Sequence, residues 1–196
     1  MPTVEADQTR AEIRRQQILD AAASCFVREG FHGASIAKIS KTAGMSPGHI
    51  YHFFENKEAI IAALVERKLE RSLEIVRQFE SAEDLYQAMI DRVEIGLDEQ
   101  TDLDTAALEM EILAEAARNP AVAAIVRAAD AAKRERLRRL YVPARRARGL
   151  EIGDEAAATE VIMTLFEGLS ARAISHPELD KAAMLPLLRA VLRALL

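Results

Sequence analysis

Few side chains in this 196-residue chain could carry acid–base or metal chemistry, and their spacing does not suit it. The four histidines stand at 32, 49, 52 and 176, so neither an HExxH helix nor a Glu-x-x-His repeat occurs. Asp91, Glu94, Asp98, Glu109, Glu111 and Glu115 form an acidic set on two neighbouring helical segments, but no histidine cluster and no nucleophile accompanies them. Phosphate-cradling glycine loops are likewise missing from the sequence. The expectation is therefore no catalytic residue, no metal, no cofactor and no enzyme. Cys25, the single cysteine, allows no internal disulfide and shares a core-type spacing with Ile18, Ala22 and Phe26, which points to a buried thiol.

Hydrogen-bonding groups are concentrated between Ser35 and Lys57, in SIAKISKTAGMSPGHIYHFFENK. The elements that present them follow from the spacing. Ser35 is an N-cap for a short helix whose Ile36, Ile39 and Ala43 recur at intervals of three and four, leaving Lys38, Lys41 and Thr42 in solvent. Gly44 supplies the positive φ of a tight helix end, Ser46 offers a fresh N-cap, and Pro47 occupies the first helical position. Two helices joined so closely cross steeply, as in a helix-turn-helix unit, where the second helix enters the major groove by its N-terminus. Ser46, Pro47, Gly48 and His49 are small or polar, which permits close approach of the backbone to DNA. An ordinary core hairpin has no need of this polar run.

The segment resembles the N-terminal domain of TetR-family transcriptional regulators. Gly30-Phe31, Ser35, Ile39, Ala43-Gly44, Ser46, Gly48, Tyr51, Phe54 and Lys57-Glu58 fall where that family's signature has like residues, over roughly 10 to 62. The resemblance implies that Ser35, Ser46, Pro47, Gly48, His49, Tyr51, His52 and Lys57 face DNA, with Tyr51 and Lys57 donating to phosphate. Ser40 stands where alanine is usual. Phe53 stands where many members have a histidine or tyrosine, and a phenyl ring cannot make their hydrogen bond to the backbone of DNA.

A net charge of −5 fits DNA poorly until it is divided along the chain. Residues 10–57 hold seven Lys/Arg against four Asp/Glu, whereas 58–196 hold nineteen against twenty-five. Phosphate attraction depends on the field within about 8–10 Å, so an acidic distal part is compatible with binding. Arg10, Arg14 and Arg15 either add phosphate or minor-groove contacts or form a solvated turn. No run of about 18 apolar residues exists and the start, MPTVEADQTR, is polar, so no membrane partner is expected and the expected location is cytoplasmic.

Beyond the reader the sequence is rich in leucine and alanine without strand-like alternation. It predicts an all-α fold of about nine helices. A three-helix helix-turn-helix DNA-binding domain over 1–56 is joined, through a long fourth helix, to a C-terminal ligand-binding and dimerisation bundle over 57–196. The first helix spans about Arg10 to Glu29. The fourth runs to about Glu80 through Ile60, Ile61, Leu64, Val65, Leu69, Leu73 and Val76. Another carries Leu85, Met89, Val93 and Leu97, and Pro143 is a kink or stop in the segment 120–148.

Near the end, Val161, Leu165 and Leu169, with Gly168 beside them, and then Leu188, Val191, Leu192 and Leu195 make apolar faces wider than one seam requires. They either bury within their own domain or form a four-helix contact in a homodimer, which the resemblance favours. A ligand pocket is implied by the family alone. Its candidate lining is Met89, Val93, Met110, Leu113, Tyr141 and Phe166, with Glu94 or Glu111 as polar anchors, and residues of these types are more often core than ligand contacts. The basic run Lys133, Arg134, Arg136, Arg138, Arg139, Arg145, Arg146 and Arg148 is either a solvated face paired with acids or a site for an anionic effector.

Together these features predict a dimeric repressor, released from a double-stranded palindromic operator by an unknown small-molecule effector. The alternatives are an activator or a helical small-molecule-binding protein on the same scaffold.

Overall fold

The computed structural model describes residues 3–196 and, among them, helices and no strands. The helices are α1 (Thr3–Gly33), α2 (Ile36–Ala43), α3 (Pro47–Phe53), α4 (Lys57–Glu80), α5 (Leu85–Asp91), α6 (Val93–Thr101), α7 (Leu103–Ala116), α8 (Pro120–Ala147), α9 (Glu155–Ser175) and α10 (Lys181–Leu195). Ten are described where about nine were expected, because the segment after Ser81 is two helices meeting at Arg92. Pro143 does not stop its helix: α8 continues through it to Ala147. The side chains of Leu73 and Val76 lie outside the described residues.

The chain forms two units. The first comprises residues 1–67 and 111–126. α1 packs against α2 and α2 against α3, and Ile18, Leu19, Ala22, Cys25, Phe26, Ile39, Ile50, Phe54, Ile60 and Ile61 are all buried. The helical run of α1 begins well before Arg10 and is interrupted at Gly30, where φ is 72° and ψ 166°. Cys25 is buried as expected, with Sγ 3.4 Å from Thr42 Oγ1.

The second unit comprises residues 68–110 and 127–196. α6 packs on α9 and α10, around a core that includes Tyr86, Met89, Ile90, Val93, Leu97, Leu140, Tyr141, Ile162, Leu169, Leu188 and Leu192. Helices α4, α7 and α8 each begin in one unit and end in the other. No described helix is long and apolar enough to cross a membrane.

Candidate nucleic-acid interface

Local hydrogen bonding explains why Ser35 to Phe54 folds as two helices and a turn. The Ser35 hydroxyl accepts from Lys38 N–H at 3.3 Å and opens α2. Gly44, at φ 66° and ψ 33°, closes it, donating its own N–H to Lys41 O while Met45 N–H reaches Ser40 O. The Ser46 hydroxyl then accepts from His49 N–H at 3.2 Å, with Pro47 following at the start of α3. Both serines therefore spend a lone pair on capping, which leaves the hydroxyl proton available to donate.

Ile50 and Phe54 anchor α3 in the core, which turns the intervening side chains outward: His49, Tyr51 and His52 are exposed. Gly48 opens onto empty space, where a Cβ would meet nothing within 4 Å. The start of α3 is thus exposed, capped by Ser46, and bordered by hydrogen-bonding rings. Phe53 lies edge-on to both histidines, its ring centroid 5.3 Å from each. It has no hydrogen bond to give and packs as a support for their rings.

Lys57 is engaged within its own unit. Its ammonium donates to the Phe31 carbonyl at 2.5 Å and lies 4.3 Å from the centroid of the Phe31 ring. In this arrangement the cation holds the end of α1. Of the early arginines, Arg14 donates to Gln17 and Arg15 lies over the Phe54 ring, near Glu66. Lys41 is exposed on the outer side of α2, and Lys38 pairs with Glu29.

Four of the eight residues suggested for a ligand share one core. Met89, Val93 and Tyr141 are buried in the core of the second unit and Phe166 packs against it. Glu94 is held by Arg189 at 3.2 Å. Leu113 is exposed, while Glu111 belongs to the first unit and accepts the backbone N–H of Phe31 at 2.5 Å. Met110 is half-buried at the end of the second unit's stretch of α7. Periodicity marks all of these as inward or polar positions; it does not say which of them face the same cavity.

A polar cluster inside the second unit escaped the sequence reading because its members are far apart in the chain. Ser170 is fully buried, with Oγ 3.0 Å from Gln100 Oε1, 3.2 Å from Gln100 O and 3.2 Å from Glu109 Oε2. Lys68 pairs with Glu109 at 2.9 Å. Burial pushes the Glu167 carboxyl up; Lys133 and Lys68 oppose this, and the charges of Glu109 and Asp130 add to it. The basic run of α8 is largely paired: Arg134 with Asp130 and Glu160, Arg138 with Glu135 and Glu155, and Arg139 with Glu135. Arg136 donates to Leu69 O, and Arg145 to the carbonyls of Glu151 and Leu195.

The apolar residues suggested for a dimer divide into two sets. Leu169, Leu188 and Leu192 belong to the unit's own core and Leu165 and Leu195 pack at its margin, whereas Val161 and Val191 are exposed. Leu187, 69 % exposed, and Ile174 were not singled out by periodicity, yet both add to the uncovered apolar surface of α9 and α10.

A capped helix pair with an open α3 terminus defines a DNA-binding protein of the helix-turn-helix class. Comparison with known proteins agrees. Residues 18–64 match the family model of bacterial regulatory proteins, tetR family, and residues 81–196 match that of the BetI-type transcriptional repressor C-terminal domain. The chain belongs to the TetR family of transcriptional regulators, which are not enzymes. It is 38 % identical over 120 residues to the HTH-type transcriptional regulator UidR of Escherichia coli strain K12, covering 61 % of this chain and 60 % of that one. The matched region thus spans about three fifths of that relative. A solved structure of Salmonella enterica GusR superposes with a TM-score of 0.74 at 32 % identity, over 93 % of this chain and 95 % of the other. FadR from Bacillus subtilis, solved in complex with stearoyl-CoA, shares the fold at a TM-score of 0.77 and 19 % identity, covering 90 % of this chain and 96 % of that one.

Proposed function

We propose that the chain is a cytoplasmic repressor that binds a palindromic DNA operator as a homodimer and leaves it when a small-molecule effector binds the second unit. The open terminus of α3, bordered by Gly48, His49, Tyr51 and His52, carries this reading. One such helix makes few contacts, and two related by a two-fold axis read half-sites about one helical turn apart. The exposed Val161, Ile174, Leu187 and Val191 on the last two helices support pairing of two chains there. The domain division we favour puts the reader within residues 1–56 and the effector and dimer functions within 57–196.

For the effector, the Ser170, Gln100 and Glu109 group, with Lys68 at its exposed edge, offers hydrogen-bonding partners in a helical bundle, the usual setting for a ligand that is oriented by a few polar groups. An effector acts only through different affinities for the DNA-competent and released states. Selection of bound duplexes from a random pool, repeated across salt concentrations, tests the reading. A palindrome with two half-sites is expected, and uniform loss of all binding with salt would refute specific recognition.

A further inference from the structure

The corner where α1 ends is held by side chains remote in sequence. Gly30 takes a positive φ there, so the helical ladder breaks and the Phe31 N–H is left without a helical acceptor. Glu111 Oε1 accepts it at 2.5 Å across 80 residues of chain. Lys57 donates to the carbonyl of the same residue at 2.5 Å. One turn beyond Glu111, on the same face of α7, Glu115 Oε2 lies 3.1 Å from His32 Nε2. Glu115 is 1 % exposed. Arg118 Nε donates to it at 2.8 Å and Asn119 Nδ2 at 3.1 Å, and Asn119 also reaches Glu58 at 3.4 Å. Two consecutive residues, Phe31 and His32, are thus located by two carboxylates and one ammonium.

The chemistry of these contacts is directional. A carboxylate accepting a backbone N–H fixes that peptide's position and tilt more tightly than apolar packing does, and the charge strengthens the bond. A Cβ on Gly30 would stand 3.3 Å from Glu111 Oε1, so the carboxylate leaves tight room for any side chain at the corner. Beyond the corner only Ala34 and the cap Ser35 precede α2, and Gly44 and Met45 alone separate α2 from the cap of α3. A shift at Phe31 has little chain in which to dissipate.

We infer that Glu111 and Glu115 are positioning residues for DNA recognition. They touch no DNA, and they set the placement of α2 and α3 through the Gly30–His32 corner. The inference rests on the DNA-binding reading above.

The test uses the full chain, the duplex recovered by selection and a random duplex of equal length. Glu111→Ala is expected to weaken binding to the selected duplex about tenfold, while affinity for the random duplex stays within about twofold because no cation is lost. Glu111→Gln, whose amide oxygen accepts the same bond, is expected to stay within about threefold of the parent. Amide hydrogen exchange at Phe31 and along α2 should speed up in the alanine variant only. If Glu111→Ala unfolds the head, Glu111→Asp makes the same distinction with a carboxylate one methylene too short to reach. Parental affinity in the alanine and aspartate variants, equal loss on both duplexes, or a glutamine variant as impaired as alanine would each overturn the inference. Should the parent select no duplex, the DNA-binding reading fails, and exchange decides separately: unchanged protection at Phe31 and α2 in Glu111→Ala overturns the positioning role.

Discussion

The Phe166 ring fills the space that a side chain at Gly96 would need: a Cβ built on that glycine falls 2.8 Å from Phe166 Cε1. Glycine is required there by contact between α6 and α9, and not by its backbone angles. Gly96→Ala is expected to destabilise the second unit by about 1–3 kcal/mol, the usual cost of overpacking. Phe166→Leu added to it should recover part of the loss, giving a non-additive double-mutant cycle in thermal unfolding. Simple additivity would show that the two residues do not press on one another.

Gly30 is constrained twice, by its φ of 72° and by Glu111 Oε1, 3.3 Å from the position of a Cβ. Gly30→Ala should therefore cost more than the roughly 1–2 kcal/mol of a left-handed alanine, because φ 72° with ψ 166° is a conformation essentially confined to glycine, and combining it with Glu111→Ala should relieve only the part due to the carboxylate. Gly44 makes the comparison, since it has φ 66° and open space around it. Alanine there should show only the backbone penalty in denaturant melts.

The Glu115 carboxyl gives the first unit an acid-sensitive component. Burial alone would raise its pKa, but hydrogen bonds from Asn119 and Arg118, with the charges of Arg118 and His32, outweigh burial and hold it below its ordinary value of 4.5. A carboxyl depressed on folding contributes stability that is fully present above its unfolded pKa and is lost as pH falls through the folded one. Unfolding followed from pH 7 to pH 2 should thus show a loss beginning near pH 4.5 that is smaller in Glu115→Gln. An identical acid limb in the variant would assign that loss to other groups.

The elements of the reader were legible in the sequence because their causes are local. Ser35, Gly44, Ser46 and Pro47 each act within four residues, and each sits in the structure where its type predicts. Contacts across the chain were not legible. Glu111, a polar anchor for a ligand by its helix face, accepts the N–H of Phe31, and Lys57, a phosphate donor by resemblance, donates to the carbonyl of the same residue. The apolar stripes of α9 and α10 were visible too. Periodicity could not separate Leu188, which fills its own core, from Val191 three residues on, which is left uncovered.

That uncovered surface gives a prediction for assembly. Val161 is 50 % exposed and Val191 44 % exposed, so aspartate at either should leave the folded unit intact while placing charge in an apolar contact between two chains. Sedimentation is expected to show the parental chain as a dimer and Val161→Asp with Val191→Asp as a monomer with unchanged helical content. Dimers of parental affinity in the double variant would mean that two chains pair elsewhere.

Gly48 separates folding from recognition most directly. A Cβ at this position meets nothing within 4 Å, and the residue lies in the first turn of α3, where helical φ suits alanine better than glycine. Gly48→Ala should therefore melt at the parental temperature or slightly above it. The added methyl would stand where the helix terminus meets DNA, and small residues are useful there because they let the backbone come close. Affinity for the selected duplex is expected to fall by about tenfold or more, with little change on random duplex, where phosphate attraction by Lys41 and the arginines persists. Gel shifts at two salt concentrations measure both. A variant that melts like the parent and binds the selected duplex as tightly would show that the α3 terminus does not approach DNA at Gly48, and the recognition surface would then have to be sought along the outward side chains of His49, Tyr51 and His52.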